Sequence, residues 1–161
     1  GDAIVQFDWT VGQLMKKLRE LKIADNTLVI LTSDNGPVVD DGYKDQAEEL
    51  LNGHSPAGPF RGNKYSAFEG GTAVPLVVSW PRKIKSGVVS KALVSQIDFF
   101  SSLGSLVRAR FPKGSAPDSR DYLSTLLGND QKGRDYVIGQ SNTHVLSVLT
   151  SQYRYWHPPW P

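Results

Sequence analysis

The 161-residue sequence contains no cysteine. The missing thiols exclude disulfides, thiolate metal sites and a cysteine nucleophile within these residues, and they leave the redox compartment open. Long apolar runs are also lacking. None approaches the ~20 residues that a membrane-spanning helix needs, so no membrane span is expected. The N-terminus lacks the basic-then-apolar pattern of a signal peptide, and any such signal belongs upstream. Neither sign of charge dominates: eighteen Lys plus Arg oppose sixteen Asp plus Glu, for a formal net charge of +2. The basic residues are scattered rather than gathered in a block, which gives no reason to expect a nucleic-acid partner. No internal repeat or low-complexity tract is present.

What is present suits one folded domain. Hydrophobic residues make up 39% and charged residues 21%, enough apolar side chain to build a core and too little charge for disorder. The opening GDAIVQFD enters a helical pattern at once, and the ending YRYWHPPWP carries no helix or strand signal. Both ends suggest a segment of something longer.

Ile4, Phe7, Val11, Leu14, Leu18 and Leu21 recur at three- and four-residue steps, with Lys16, Lys17, Arg19, Glu20 and Lys22 between them. This spacing predicts an amphipathic helix. Asp25-Asn26 supply turn chemistry, and Thr27 to Leu31 is a continuous aliphatic and β-branched run of the kind found in parallel sheets. Residues 37–71 read as a long loop with a short helix around Asp45 to Leu51, and loops of this length are usually functional or disordered. Val74 to Trp80 reads as a second strand, a helix starts near Asp98, and a short helix covers Tyr122 to Leu127. Tyr136 to Gly139, Val145 to Thr150 and Tyr153 to Trp156 read as short strands, the last two as a hairpin across Ser151 and Gln152.

Open α/β sheets collect ligands beyond the carboxyl ends of their strands, and Asp34 and Asn35 stand at such an end. Taken alone, the pair reads first as an Asx turn leaving the strand. The alternative is a pair of hard oxygen ligands for Ca2+ or Mg2+, with Gly36 letting the backbone turn away.

Longer patterns bear on that choice. Ser33-Asp34-Asn35-Gly36 is followed by Arg61-Gly62-Asn63-Lys64, Glu69-Gly70-Gly71, Val74-Pro75 and Trp80-Pro81-Arg82-Lys83-Ile84. In order and spacing this closely resembles the second half of the type I sulfatases, members of the alkaline phosphatase superfamily, which read SDNG, RGxKxxxxEGG, VP and WPxKI. The resemblance is strong from Thr27 to Ile84. It is weaker over the helix carrying Asp8 and Gly12, over Ser95 to Leu106, over Asp118 to Gly128 and over Val145 to Pro158. It implies an α/β fold: the C-terminal part of an alkaline-phosphatase-like domain over residues 1–111, with mostly parallel strands and flanking helices. Residues 112–161 would form a small antiparallel subdomain packed on it.

The resemblance also implies roles. Asp34 and Asn35 match positions that complete a divalent-metal site, usually Ca2+, whose other carboxylates lie in the family's N-terminal half. Lys64 matches the lysine that reaches the sulfate, where a point charge neutralises the transferred group. His54, in NGHSPAGPFRG, either faces the substrate and donates a proton to the leaving alkoxide, or anchors the loop. Arg61 reads as a brace pairing with a carboxylate such as Glu69, and Gly70 and Gly71 as freedom for the turn into the second strand.

Two departures stand out. Ala73 occupies a position that is arginine in many relatives, and the C/S-x-P-x-R motif that yields the family's formylglycine nucleophile is absent. Ser55-Pro56 are adjacent, and Ser115-Ala116-Pro117 are followed by Asp118-Ser119, without the arginine spacing. The implied function is therefore that of a segment: part of a sulfuric ester hydrolase acting on a sulfated small molecule or glycan, partnered by the N-terminal half of the same domain and inactive alone. An extracytoplasmic setting, periplasmic, secreted or lysosomal, goes with the family. A phosphate or phosphonate ester hydrolase of the same superfamily is the alternative enzyme. A noncatalytic carbohydrate-binding module, with Trp80, Trp156 and Trp160 as stacking surfaces, is the alternative of another class.

Overall fold

The computed structural model describes residues 2–157, so Gly1 and Pro158 to Pro161, including Trp160, lie outside the described residues. Helix α1 (Asp2–Glu20) follows the apolar spacing, with Asp2 in its first turn and Lys17 and Arg19 in its last, each complementing the helix dipole. Lys22, at φ 58, ends the helix in the left-handed conformation, and Ile23 N–H returns to Leu18 O at 3.1 Å. No residue of α1 is buried; Ile4 and Leu14 are 71% and 63% exposed. Its apolar stripe is thus largely exposed among residues 2–157, with Val11 and Leu18 half-buried.

A short 3-10 turn, Ala24–Asn26, leads into β1 (Val29–Thr32). The loop that follows contains a 3-10 turn at Glu49–Leu51 and closes with a helical turn, α2 (Glu69–Thr72), before β2 (Leu76–Ser79). Strands β1 and β2 pair antiparallel, Val29 opposite Ser79 and Thr32 opposite Leu76. The expected parallel arrangement does not occur here, and every strand pair among the described residues is antiparallel. A parallel pair requires a crossover back along the sheet, usually a helix. The chain between β1 and β2 instead loops out beyond the end of β1 and re-enters beside it, so β2 runs back. Trp80 Nε1 donates to Asn26 Oδ1 at 3.3 Å and Arg82 N–H to Asp25 O at 2.9 Å, fixing the far end of this pair.

Helix α3 (Asp98–Leu106) starts on a buried carboxylate. Asp98 accepts hydrogen bonds from Ser95 N–H and Arg120 N–H, both at 3.0 Å, and from Arg134 Nε at 2.8 Å. The Arg134 and Asp98 side chains are 9% and 1% exposed. Ser102 Oγ, also buried, accepts from Tyr122 N–H at 2.9 Å, just before α4 (Leu123–Leu126). Strands β3 (Val137–Gln140), β4 (Leu146–Leu149) and β5 (Arg154–Trp156) then form an antiparallel meander, with the expected hairpin between β4 and β5. Among the described residues the buried apolar side chains are Ala67 and Tyr122, whereas Asp98, Ser102, Thr125, Ser141 and Ser147 are buried polar ones. Asp98, Ser102, Thr125 and Ser141 are hydrogen-bonded, whereas Ser147 Oγ is buried without a partner.

Burial pushes the Asp98 carboxyl up, but the Arg134 hydrogen bonds and the two backbone N–H donors outweigh it and hold the group below the ordinary carboxylate range. A depressed carboxylate stabilises the fold fully above its unfolded pKa, and the benefit fades as pH falls through the folded one. In the intact protein, Asp98→Ala leaves Arg134 buried and unpaired and is expected to cost about 3–5 kcal/mol in urea unfolding near neutral pH. The gap from wild type should narrow as pH is lowered through the acid range; a pH-independent gap would contradict the pairing.

Candidate functional site

The end of β1 delivers Ser33, Asp34 and Asn35 into a turn tied by its own side chains. Ser33 Oγ donates to Asn35 O at 3.0 Å, Asn35 N–H to Asp34 Oδ1 at 3.0 Å, and Asn35 Nδ2 to Gly36 O at 2.9 Å. From α3's leading edge, Gln96 Nε2 donates to Ser33 O at 2.5 Å, a contact that nothing in the sequence advertised. An Asx turn would take the N–H of Gly36, two residues on from Asp34, but that group donates to Gly71 O; Asp34 Oδ1 instead accepts from the adjacent Asn35 N–H. These bonds use Asp34 Oδ1, Asn35 Nδ2 and the Asn35 backbone carbonyl, leaving Asp34 Oδ2 and Asn35 Oδ1 for other partners.

The second motif is sewn to the first through backbone. Gly36 N–H donates to Gly71 O at 3.0 Å, Lys64 N–H to Pro37 O at 2.7 Å, and Gly70 N–H to Arg61 O at 2.8 Å. Space, rather than torsional freedom, explains these glycines. A Cβ on Gly36 would lie 1.7 Å from Gly70 O, and one on Gly70 would lie 1.8 Å from Gly62 O. Gly70 and Gly71 belong to the helical turn α2 and do not take positive φ, so their expected role as a loose hinge into β2 is replaced by close backbone approach.

Tyr65, beside Lys64, does occupy the left-handed region at φ 76. A bulky side chain there is strained by about 1–3 kcal/mol and persists when its surroundings over-determine it. Its hydroxyl donates to Asp41 Oδ1 at 3.2 Å and its carbonyl accepts from Asn142 N–H at 3.2 Å. The Lys64 ammonium sits 4.9 Å from the Tyr65 ring centroid. A hydrogen bond with Tyr65, then the charges of Tyr65, Asp41 and Asp34, raise its pKa above the ordinary lysine value despite some desolvation. Lys64 is a full positive charge throughout the neutral range.

Asp34, Asn35 and Lys64 line one cavity of about 640 Å³, together with Tyr65, Gln96 and Arg154. His54 is not brought there. It is exposed, and its N–H bonds to Leu51 O at 2.8 Å after the 3-10 turn. Arg61 does not pair with Glu69 either: its guanidinium lies 4.0 Å over the Phe68 ring, and among the described residues it forms no ion pair. The aromatic face next to it was nearer than any carboxylate, a choice that residue spacing does not reveal. Trp80 and Trp156 both spend their N–H groups on protein acceptors, Asn26 Oδ1 and Ala67 O.

No group of three or more His, Cys, Asp or Glu that could hold a metal ion occurs among the described residues. As hard oxygen donors, Asp34 and Asn35 fit two positions of the six to eight that Ca2+ takes. No helix among the described residues is long and apolar enough to cross a membrane.

Comparison with known proteins finds relatives along nearly the whole chain. The chain is 50% identical over 158 residues to the N-acetylgalactosamine-6-O-sulfatase of Bacteroides thetaiotaomicron, covering 98% of the chain and 31% of that protein. It is 32% identical over 159 residues to human steryl-sulfatase, covering 98% of the chain and 26% of that protein. A solved structure from work on glycosaminoglycan metabolism by Bacteroides thetaiotaomicron superposes with TM-score 0.93 at 50% identity, covering 98% of this chain and 33% of that one. The chain thus spans between a quarter and a third of the length of the curated relatives it matches. The family model described as Sulfatase matches residues 1–109, which include the whole run from Ser33-Asp34-Asn35-Gly36 through Trp80-Pro81, so the chain belongs to the sulfatase family.

Proposed function

We propose that the whole protein hydrolyses sulfate esters carried by a glycan, and that this chain contributes the Asp34, Asn35 and Lys64 part of the site. One observation carries the reading: a carboxylate, a carboxamide and a permanently charged ammonium, drawn from two distant motifs, line the same cavity. The glycan preference rests on the relative at 50% identity, an N-acetylgalactosamine-6-O-sulfatase. The other half of the site belongs to the N-terminal part of the domain, and a periplasmic, secreted or lysosomal location goes with such substrates.

In this reading Asp34 and Asn35 present oxygens to Ca2+, the remaining ligands coming from the N-terminal half. When bound, the ion polarises a sulfate oxygen and offsets charge at the reacting centre. The nucleophile is an upstream formylglycine, outside these residues. Lys64 binds the anionic sulfate by direct charge attraction and stabilises the negative charge that grows on the departing ester oxygen. Tyr65 and the stitched backbone hold that ammonium at the cavity wall, so little reorganisation is needed during the reaction. His54, exposed and outside the cavity, serves the loop rather than the leaving group.

Turnover of a 6-sulfated N-acetylgalactosaminide by the full-length protein is the direct test, with the corresponding phosphate ester as control. Lys64→Ala should lower kcat by about 10²–10³-fold while the fold survives; a wild-type rate would remove Lys64 from the site. Calcium chelation should abolish turnover and added Ca2+ restore it, with Asp34→Ala needing more Ca2+ for any residual rate. Metal-independent turnover would refute the metal role of Asp34. His54→Ala is expected to stay within about tenfold of wild type, since removal of a general acid costs about 10²–10⁴-fold; a loss of that larger size would return His54 to the chemistry.

A further inference from the structure

The loop bearing Lys64 is held by β5, the last strand among the described residues. Arg154 Nη1 donates to Ala67 O at 2.6 Å, Trp156 Nε1 donates to the same carbonyl at 3.1 Å, and Arg154 Nη2 reaches Thr72 Oγ1 at 3.1 Å. The Trp156 ring meets Phe68 edge-on at 5.0 Å between centroids, and the far face of the same assembly carries Arg61 at 4.0 Å over Phe68. Ala67 itself is buried, so its carbonyl has few other donors to turn to.

Arg154 is an expensive residue to place there. It forms no ion pair among the described residues, and its Nε is buried without a partner. Burial lowers its pKa, with the charge of Glu69 opposing. A cation kept half-buried without a bonded carboxylate costs more than an apolar side chain of the same length would. Its donors go to the two ends of the segment Ala67 to Thr72, whose amino end is continuous with the strained Tyr65 and with Lys64.

We propose that Arg154 and Trp156 are positioning residues for Lys64: their shared grip on Ala67 O, with Arg154 on Thr72, keeps the strained Lys64-Tyr65 turn in the conformation that aims the ammonium into the cavity. This rests on the sulfatase reading of the site. Trp156 is not part of the cavity wall; Arg154 lines the cavity, but its Nη1 and Nη2 are spent on Ala67 O and Thr72 Oγ1, so it acts through the loop. The C-terminal meander is then part of the anion site, acting through the loop, because β5 sets where the loop can lie. Displacing a charged group by about 1 Å is enough to cost roughly 100-fold in rate.

In the full-length enzyme, Arg154→Met and Trp156→Phe are expected to lower kcat/KM for the sulfate ester by roughly 10–100-fold. Competitive inhibition by inorganic sulfate should weaken in step, with the Ca2+ requirement and the thermal midpoint near wild type. Arg154→Lys, able to reach one acceptor, should recover part of the loss. Trp156→Phe removes the N–H while keeping a ring against Phe68, and answers the case in which Arg154→Met fails to fold. Folded variants with wild-type kcat/KM and wild-type sulfate inhibition overturn the positioning role, as does a loss accounted for wholly by fewer folded molecules. A wild-type protein that cleaves no sulfate ester and binds no sulfate instead overturns the sulfatase reading, and the positioning role falls with it.

Discussion

Two backbone hydrogen bonds, Gly36 N–H to Gly71 O and Lys64 N–H to Pro37 O, hold together everything of functional interest in this chain. They join the turn after β1 to the loop before β2, and they form because Gly36, Gly62 and Gly70 let three stretches of main chain meet where any Cβ would collide. Without that contact the exposed Asp34 carboxylate and the Lys64 ammonium would belong to separate mobile loops. With it, they face one cavity, and the Asp34 charge helps hold Lys64 protonated.

Around that seam the molecule is organised by polar anchors. Asp98 gathers Ser95, Arg120 and Arg134 at the head of α3, and Gln96, two residues earlier, reaches Ser33 beside the Asp34 turn. Arg154 and Trp156 close on Ala67 from the opposite side. The loop between β1 and β2 is thus pinned from α3 and from β5, which explains how so long a loop can hold a strained Tyr65 in place. The largely exposed apolar stripe of α1 belongs to a chain that spans 31% of one curated relative and 26% of another.

Much of this was legible in the sequence. The periodic apolar residues marked α1, the aliphatic run marked β1, and the motifs singled out Asp34, Asn35 and Lys64, which line one cavity, along with His54, which does not. Strand direction was not legible, because a continuous apolar run carries no sign of which way its neighbour runs. Gly70 and Gly71 read as needing backbone freedom where the fold needs space, since sequence cannot distinguish a need for positive φ from a need for close approach. Arg61 was assigned a carboxylate where it found an aromatic ring. Arg154 gave no warning at all: its acceptor lies 87 positions away, and only the fold brings them together.

The central claim is that Asp34, Asn35 and Lys64 form one side of a single anion site built around a cation. Crystals of the full-length protein grown with Ca2+ and inorganic sulfate test it most directly. The expected result is Ca2+ held at about 2.3–2.6 Å by oxygens of Asp34 and Asn35, with the Lys64 ammonium hydrogen-bonded to a sulfate that also touches the ion. Sulfate bound away from Lys64, or Ca2+ bound elsewhere with Asp34 left in solvent, would contradict it.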